Sequence, residues 1–265
     1  MKKRVLVCFF LSVSAIGLWA DTSVVGIYAG AGADPYLQAA AGRMFRWMGY
    51  ETVKVTPDDI NRGNFGTIAI LYFPGGSTGP MRRDISETGR EKLRAFIRGG
   101  GGYIGTCAGA LMACRKNLWL GRDDNYGLFG LVPVTGIGPI PELDDGDGIC
   151  MAELAIDSAC GIGDWAASGV DPSVPAYVLS INSPWFDTGG SSGVIVVAEY
   201  AAVGKPAYIA YRYGKGRVFL TGPHPEFEED GNRDGSSYFD DHDDRGSDWP
   251  LMRMAAAWCL MYNEP

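Results

Sequence analysis

The sequence predicts an α/β fold: one three-layer domain with a mostly parallel sheet covered on both faces, and an antiparallel extension. Three observations carry this. Through residue 116, short apolar runs alternate with segments of helical periodicity, the rhythm of strands joined by crossover helices. From residue 131 onward strand candidates follow one another and a single helix closes the chain. No shift in composition marks a linker, so residues 21–265 read as one domain.

The elements follow in order. "SVVGIYAG" (23–30) is a buried strand, and "DPYLQAAAGRMFRWMG" (34–49) is a helix. Asp34 can cap it, Pro35 suits its first position, and Leu37, Ala41, Met44, Phe45 and Met48 share one face. "ETVKVT" (51–56) is a strand, with a helical turn starting at Pro57. "TIAILYF" (67–73) is a second buried strand, ending in Pro74-Gly75-Gly76. "SETGREKLRAFIRGG" (86–100) is an amphipathic helix with glycines after its end. "GYIGT" (102–106) is a strand running into Cys107, and "AGALMACRK" (108–116) begins a helix. Strand candidates then cover 131–137, 150–156, 175–181, 193–200, 205–213 and 216–222, the last two joined by a Gly214-Lys215 hairpin turn. The closing helix spans 248–262.

Composition narrows the function. A formal net charge of -8 argues against phosphate-neutralising contact with nucleic acid. Lys2, Lys3 and Arg4 precede an apolar run that ends at Ala20 before Asp21, the pattern of a signal peptide over residues 1–20. Val13-Ser14-Ala15 offers an earlier cleavage point, and the run is too short for a membrane span. The expectation is a periplasmic or secreted protein with no stable span after cleavage. Of the six cysteines Cys8 lies in the leader, leaving Cys107, Cys114, Cys150, Cys160 and Cys259. Cys150 and Cys160 can pair across a short loop, while Cys114 and Cys259 read as buried thiols. No C-x-x-C spacing indicates structural zinc.

"GGYIGTCAGALMA" (101–113) sets one cysteine among residues with almost no side chain. Reactive groups in open α/β sheets gather at the carboxyl ends of strands, where Cys107 sits. Gly105-x-Cys107-x-Gly109 reads as a nucleophile elbow with sulfur in place of a serine oxygen, its small residues giving access to the sulfur. A structural cysteine at a tight turn accounts for the same glycines. Only two histidines are present, and His224, in "FLTGPHPEF", lies just past a predicted strand at the same sheet edge. Glu226 follows two residues on; in an extended segment stiffened by Pro223 and Pro225, both side chains point one way and Glu226 orients the ring. "PGG" at 74–76 and the Ala108 N–H can face an oxyanion, with Gly75 and Gly76 as the loop's contributors.

"PGG…GGYIGTCAGA…GPHPE" resembles the class I glutamine amidotransferase superfamily, and "FPGGSTGP", "GGGYIGTCAGALMA" and "GPHPE" resemble its biotin-protein ligase N-terminal-like family. The resemblance implies a flavodoxin-like sheet, with Cys107 as nucleophile, His224 as base, Glu226 as its partner, and Gly75, Gly76 and Ala108 near the oxyanion. No ligase catalytic domain is expected to follow, so ligase activity is not implied. Glutamine-hydrolysing members usually carry glutamine four residues after the nucleophile, where this chain has Leu111. Two functional readings stand at this level: a cysteine hydrolase or transferase acting on an amide or acyl bond of a small molecule or peptide, or a binding module on the same fold. No cofactor is expected.

Two other segments invite a ligand. Gly30-x-Gly32 has Pro35 where a dinucleotide fingerprint wants glycine, and reads as a tight loop beside the active site. Asp230, Asn232, Asp234, Ser236 and Asp241 span a calcium-loop pattern with Asp in place of Glu at its last position. The competing reading, a solvated acidic lid over the site, is the one expected. Glu142, Asp144, Asp145 and Asp147 form a second acidic patch with the same expectation.

Overall fold

A computed structural model describes residues 23–143, 146–228, 232–242 and 246–261. The leader and its cleavage points lie outside the described residues, as do Asp144, Asp145 and Asp230.

β1 (Val24–Tyr28), α1 (Pro35–Trp47), β2 (Glu51–Val55), α2 (Pro57–Arg62) and β3 (Ile68–Phe73) follow the expected alternation. Asp34 accepts from the Tyr36 and Leu37 N–H groups at the start of α1, and Thr56 with Asp59 forms a capping box on α2. α3 (Thr78–Asp84) was not expected from "TGPMRRD"; Met81 is buried in the core and packing overrides the weak propensity of a Gly-Pro start. α4 (Glu87–Arg98), β4 (Gly102–Thr106) and α5 (Ala108–Ala113) complete the first half.

α5 is shorter than the sequence suggests. Cys114 leaves the helix and opens a strand, β5 (Cys114–Trp119). The carbonyls of the last helical turn are satisfied from that strand: the Asn117 amide donates to Leu111 O at 3.1 Å and the Cys114 thiol to Ala110 O at 3.4 Å. β6 (Arg122–Asp123), β7 (Val132–Gly138), β8 (Ile149–Ile156), α6 (Trp165–Ser168), β9 (Ala176–Ile181), β10 (Trp185–Asp187), β11 (Ile195–Tyr200), β12 (Lys205–Tyr213), β13 (Gly216–Thr221) and α7 (Trp249–Leu260) follow.

The main sheet runs β2-β1-β3-β4-β13-β12-β11-β8-β9. Its first five strands are mutually parallel, and the remaining neighbours pair antiparallel. One core packs α1 and α7 on one face through Met44, Phe45, Trp249 and Met252. The other packs α2, α4 and α5 through Ile60, Leu93, Ile97 and Ala110. Each such large side chain contributes roughly 1.5–3 kcal/mol of burial. A second sheet, β10-β7-β5-β6, packs beside the main one, with β10 against β12. Its register brings Trp119 beside Gly138.

Cys114, Cys160 and Cys259 are free thiols. Cys114 and Cys259 are buried, as expected, and burial pushes both thiols well above their ordinary pKa. Cys150 and Cys160 are not joined to each other: Cys150 lies opposite Ser180 in the β8–β9 ladder, whereas Cys160 sits beyond the strand's end in a turn closed to Asp157.

Candidate active site

β4 lies between β3 and β13, with Phe73 opposite Gly105 and Thr106 opposite Thr221. Parallel pairing in this register brings the ends of all three strands to one edge. The Cys107 N–H donates to Thr221 O at 2.9 Å, and its carbonyl accepts from Leu111 to start α5. Between them Cys107 is held at φ 48°, ψ −109°, backbone that costs an L-residue on the order of 1–3 kcal/mol. The glycines on either side have a packing role. A Cβ on Gly105 would stand 2.7 Å from Gly109 O, and one on Gly109 would stand 2.0 Å from Phe73 O. They let three backbones close on one another; access to the sulfur comes from the pocket described below.

His224 is anchored by its N–H to Leu179 O at 2.7 Å and is almost fully buried. The segment after it is turned rather than extended: Phe227 N–H reaches back to His224 O at 3.4 Å, with Pro225 inside the turn. The turn still brings the Glu226 carboxylate to His224 Nδ1, with Oε1 at 3.1 Å. A carboxylate only accepts, so Nδ1 carries the hydrogen and Nε2 is left for a partner on the pocket side. Burial on its own depresses the ring; the charge of Glu226 and that of the Cys107 sulfur outweigh it and raise His224 to about 10. Glu226 is fully buried, its carbonyl accepts from Trp249 Nε1, and behind it Tyr72 bonds Thr106, which bonds Thr221.

Gly75, Gly76 and Ala108 separate into different roles. Gly75 lies against the imidazole: a Cβ there would meet His224 Cε1 at 2.5 Å. Gly76 lines the pocket at φ 130°, bridged to Ala33 through the Ser77 N–H to Gly32 O bond. Ala108 is the first residue of α5, directly after the sulfur. Among the described residues, neither the Gly76 nor the Ala108 N–H donates to another backbone group. Leu111 packs under the second sheet, against Gly136, and takes no part in the pocket wall.

Cys107, His224 and Gly76 open into a pocket of about 690 Å³. Its walls come from elements that sequence reasoning did not assign to the site: the β5–β6 turn with Trp119 and Leu120, the end of β9 with Ile181 and Asn182, and Tyr36 on α1. Tyr238 and Phe239 close one side, in edge contact with Tyr36 and Phe227 respectively. The apolar run "NLWLG" was the available signal for Trp119 and Leu120. No sequence pattern marks Asn182.

Tyr238 and Phe239 belong to the acidic segment after Glu226. Among the calcium-loop residues, Asp234 is buried, and its carboxylate accepts from the Ser236 N–H at 2.7 Å and the Glu228 N–H at 3.2 Å. Ser236 accepts from Tyr238 N–H, while Asp241 is exposed beside His242. Asn232 lies in the short 3-10 turn Asn232–Asp234. No metal-holding group of His, Cys, Asp or Glu side chains occurs among the described residues. In the other acidic patch Glu142 pairs with Lys205, and Asp147 accepts from the Ile149 N–H. In the Gly30–Gly32 loop, the Ala31 N–H donates to the Asp84 carboxylate, which occupies the place an anion would take.

Residues 24–130 match the family described as biotin-protein ligase, N terminal. The biotin–protein ligase of Schizosaccharomyces pombe is 30% identical over 177 residues, covering 62% of this chain and 26% of that protein. An uncharacterized protein of Chlamydia muridarum is 29% identical over 164 residues, 61% of each chain. The chain therefore spans about a quarter of the first relative and about three fifths of the second. Among solved structures, PurLQS from Thermotoga maritima aligns with TM-score 0.60 at 15% identity, over 89% of this chain and 99% of that one. A glutamine amidotransferase from Thermotoga maritima aligns with TM-score 0.52 at 10% identity, over 89% and 90%. At these identities the solved structures show the fold alone. Over residues 24–130 the chain is similar to the biotin-protein ligase N-terminal family, and its fold resembles that of these glutamine amidotransferase-like structures.

Proposed function

We propose that this protein is a cysteine hydrolase or transferase acting on an amide or acyl bond, with Cys107 as nucleophile, His224 as its proton carrier and Glu226 as the group orienting the ring. One observation carries the reading: a cysteine held at positive φ on a strand-to-helix elbow shares a pocket with a histidine whose far nitrogen is fixed by a buried glutamate. Sγ gives its proton to His224 and bonds the substrate carbonyl carbon; the developing oxyanion faces the Ala108 and Gly76 amides. Collapse of the tetrahedral adduct breaks the bond to the leaving group, which takes the proton from His224 and departs as amine or alcohol. Water, deprotonated by His224, or an acceptor amine then attacks the thioester. Acid or transferred product is released, and the proton returns to sulfur. The raised His224 supports its donating role, since a ring that holds a proton tightly enough to be charged can pass it to the leaving group.

The test is intact-protein mass spectrometry with an activated acyl ester. A stable acyl adduct on Cys107 that Glu226→Gln slows and Cys107→Ala abolishes supports the reading; equal labelling of Cys107 in wild type, His224→Ala and Glu226→Gln overturns it. We also propose that the chain is exported by its basic-apolar N-terminus. Mass analysis of the mature N-terminus in the native host checks this, and an intact Met1 would contradict it.

A further inference from the structure

Four non-glycine residues have positive φ among those described: Cys107, Leu120, Asn182 and Phe239. All four line the same pocket. They come from separate parts of the chain, respectively the elbow, the β5–β6 turn, the end of β9 and the acidic segment, so one local motif does not account for the coincidence. Left-handed backbone disfavours a side chain with a Cβ, and it persists where the surrounding structure requires that side chain in that direction. Leu120 owes its φ of 50° to the two-residue Leu120-Gly121 hairpin turn, which requires positive φ at both positions; what needs a reason is that this turn carries a large apolar side chain, 71% exposed, in the pocket wall.

The chemistry of the wall then identifies what it receives. Trp119, Leu120, Ile181, Phe227, Tyr238 and Phe239 supply apolar and aromatic surface. No lysine or arginine lines the pocket among the described residues. Among the described residues the one carboxylate in the wall, Asp34, accepts two backbone N–H bonds at the start of α1, and the charge of His224 is opposed by Glu226. Among the described residues, a substrate carboxylate close to the scissile bond would meet no cation in the pocket wall other than that paired histidine, in a chain of net charge -8. Asn182 remains as a neutral side chain able to both donate and accept.

Resting on the proposed cysteine chemistry, we infer that the substrate presents an uncharged aromatic acyl group to this pocket, and that Leu120 and Phe239 select for it. Flat rings match aromatic walls through edge and offset contacts as well as by area. Glutamine, whose zwitterionic end would be buried without partners, is excluded by the same wall.

The test separates recognition from turnover. The Cys107→Ala chain is titrated calorimetrically with 3-phenylpropanamide, acetamide and glutamine, and the set is repeated with Leu120→Gly added. Glycine suits φ 50°, so this change leaves the thermal midpoint unchanged or raises it while removing the contact. The expected result is binding of the aromatic amide at least tenfold tighter than either other ligand, with that preference falling several-fold in the Leu120→Gly background. Wild-type turnover of 3-phenylpropionyl p-nitroanilide is measured alongside γ-glutamyl p-nitroanilide. Selective binding of the aromatic amide without turnover of either anilide upholds this inference and removes the proposed chemistry. Tighter binding of glutamine, or an aromatic preference untouched by Leu120→Gly, overturns the inference whatever the turnover.

Discussion

Gly75 lies directly against the His224 ring: a Cβ at position 75 would stand 2.5 Å from Cε1 and 3.3 Å from Nδ1. The ring cannot yield cheaply, because Glu226 holds Nδ1 and the surroundings are closed. Gly75→Ala must therefore rotate the imidazole or push β3's end away from β4. We expect a loss of about 1–3 kcal/mol in stability from overpacking. Alkylation and acylation of Cys107 should fall at least tenfold. Gly79→Ala is the matched control: its nearest neighbour is the end of Arg83, 3.7 Å away, and it lies inside α3, so it should be neutral or slightly stabilising. Denaturation midpoints and iodoacetamide labelling rates check both. Equal behaviour of the two variants would show that the ring is not held by position 75.

The histidine also makes stability depend on pH in a definite direction. Its folded pKa lies above the ordinary 6.5, raised to about 10 against the opposing effect of burial, by Glu226 and the Cys107 sulfur. A group raised in this way binds its proton more tightly when folded. Its stabilisation is complete below about pH 6.5 and is lost as pH rises towards about 10. The stability gap between wild type and Glu226→Gln should be widest near pH 6 and narrow steadily to pH 10. Urea denaturation at fixed pH steps measures it. A gap constant across that range would mean the ring folds neutral.

The parts of the site that sequence reveals are those fixed by strand ends. Cys107, the Gly75-Gly76 loop and His224 each follow an apolar run that reads as a strand, and parallel order places those ends together. The pocket wall depends on pairings between distant segments. β5 looks like the tail of a helix because Cys114-Arg115-Lys116 carries no strand periodicity, and it is a strand only because β7 lies beside it. Asn182 and Leu120 gain their roles from backbone angles that no residue pattern announces. The His224–Glu226 contact was legible through the wrong local geometry: spacing of two suggests an extended segment, and a Pro225 turn achieves the same meeting.

Arg233 fastens the segment that carries Tyr238 and Phe239. Its guanidinium lies 4.1 Å from the Trp249 ring centroid and 5.1 Å from that of Trp47, pairs with Glu228, and donates to Ser247 at 2.6 Å. Arg233→Ala would leave Glu228, already raised by burial, without its cation. We expect a cost of about 1–3 kcal/mol and faster proteolysis within 232–242. Arg233→Lys keeps the charge but lacks the planar stack and the fork, and should recover only part of that loss. Full recovery with lysine would assign the whole effect to charge. Limited proteolysis and thermal denaturation of the three proteins distinguish these outcomes.

Asp234 decides between the two readings of the same segment. As a calcium ligand it would turn its oxygens towards an ion together with Asp241. In the structure its Oδ1 accepts from Ser236 N–H and its Oδ2 from Glu228 N–H, while Asp241 is exposed beside His242. Both Asp234 oxygens are thus used in holding the backbone that presents Tyr238 and Phe239 to the pocket. Asp234→Ala should lower stability by about 1–2 kcal/mol through two unsatisfied amides, with or without divalent ions. Asp234→Asn, which keeps one acceptor oxygen, should lose about half as much. Thermal midpoints in millimolar calcium, magnesium and chelator should coincide for wild type. A rise specific to calcium in wild type and absent from Asp234→Ala would restore the ion-binding reading, because amide bonding alone gives no reason for one cation to be preferred.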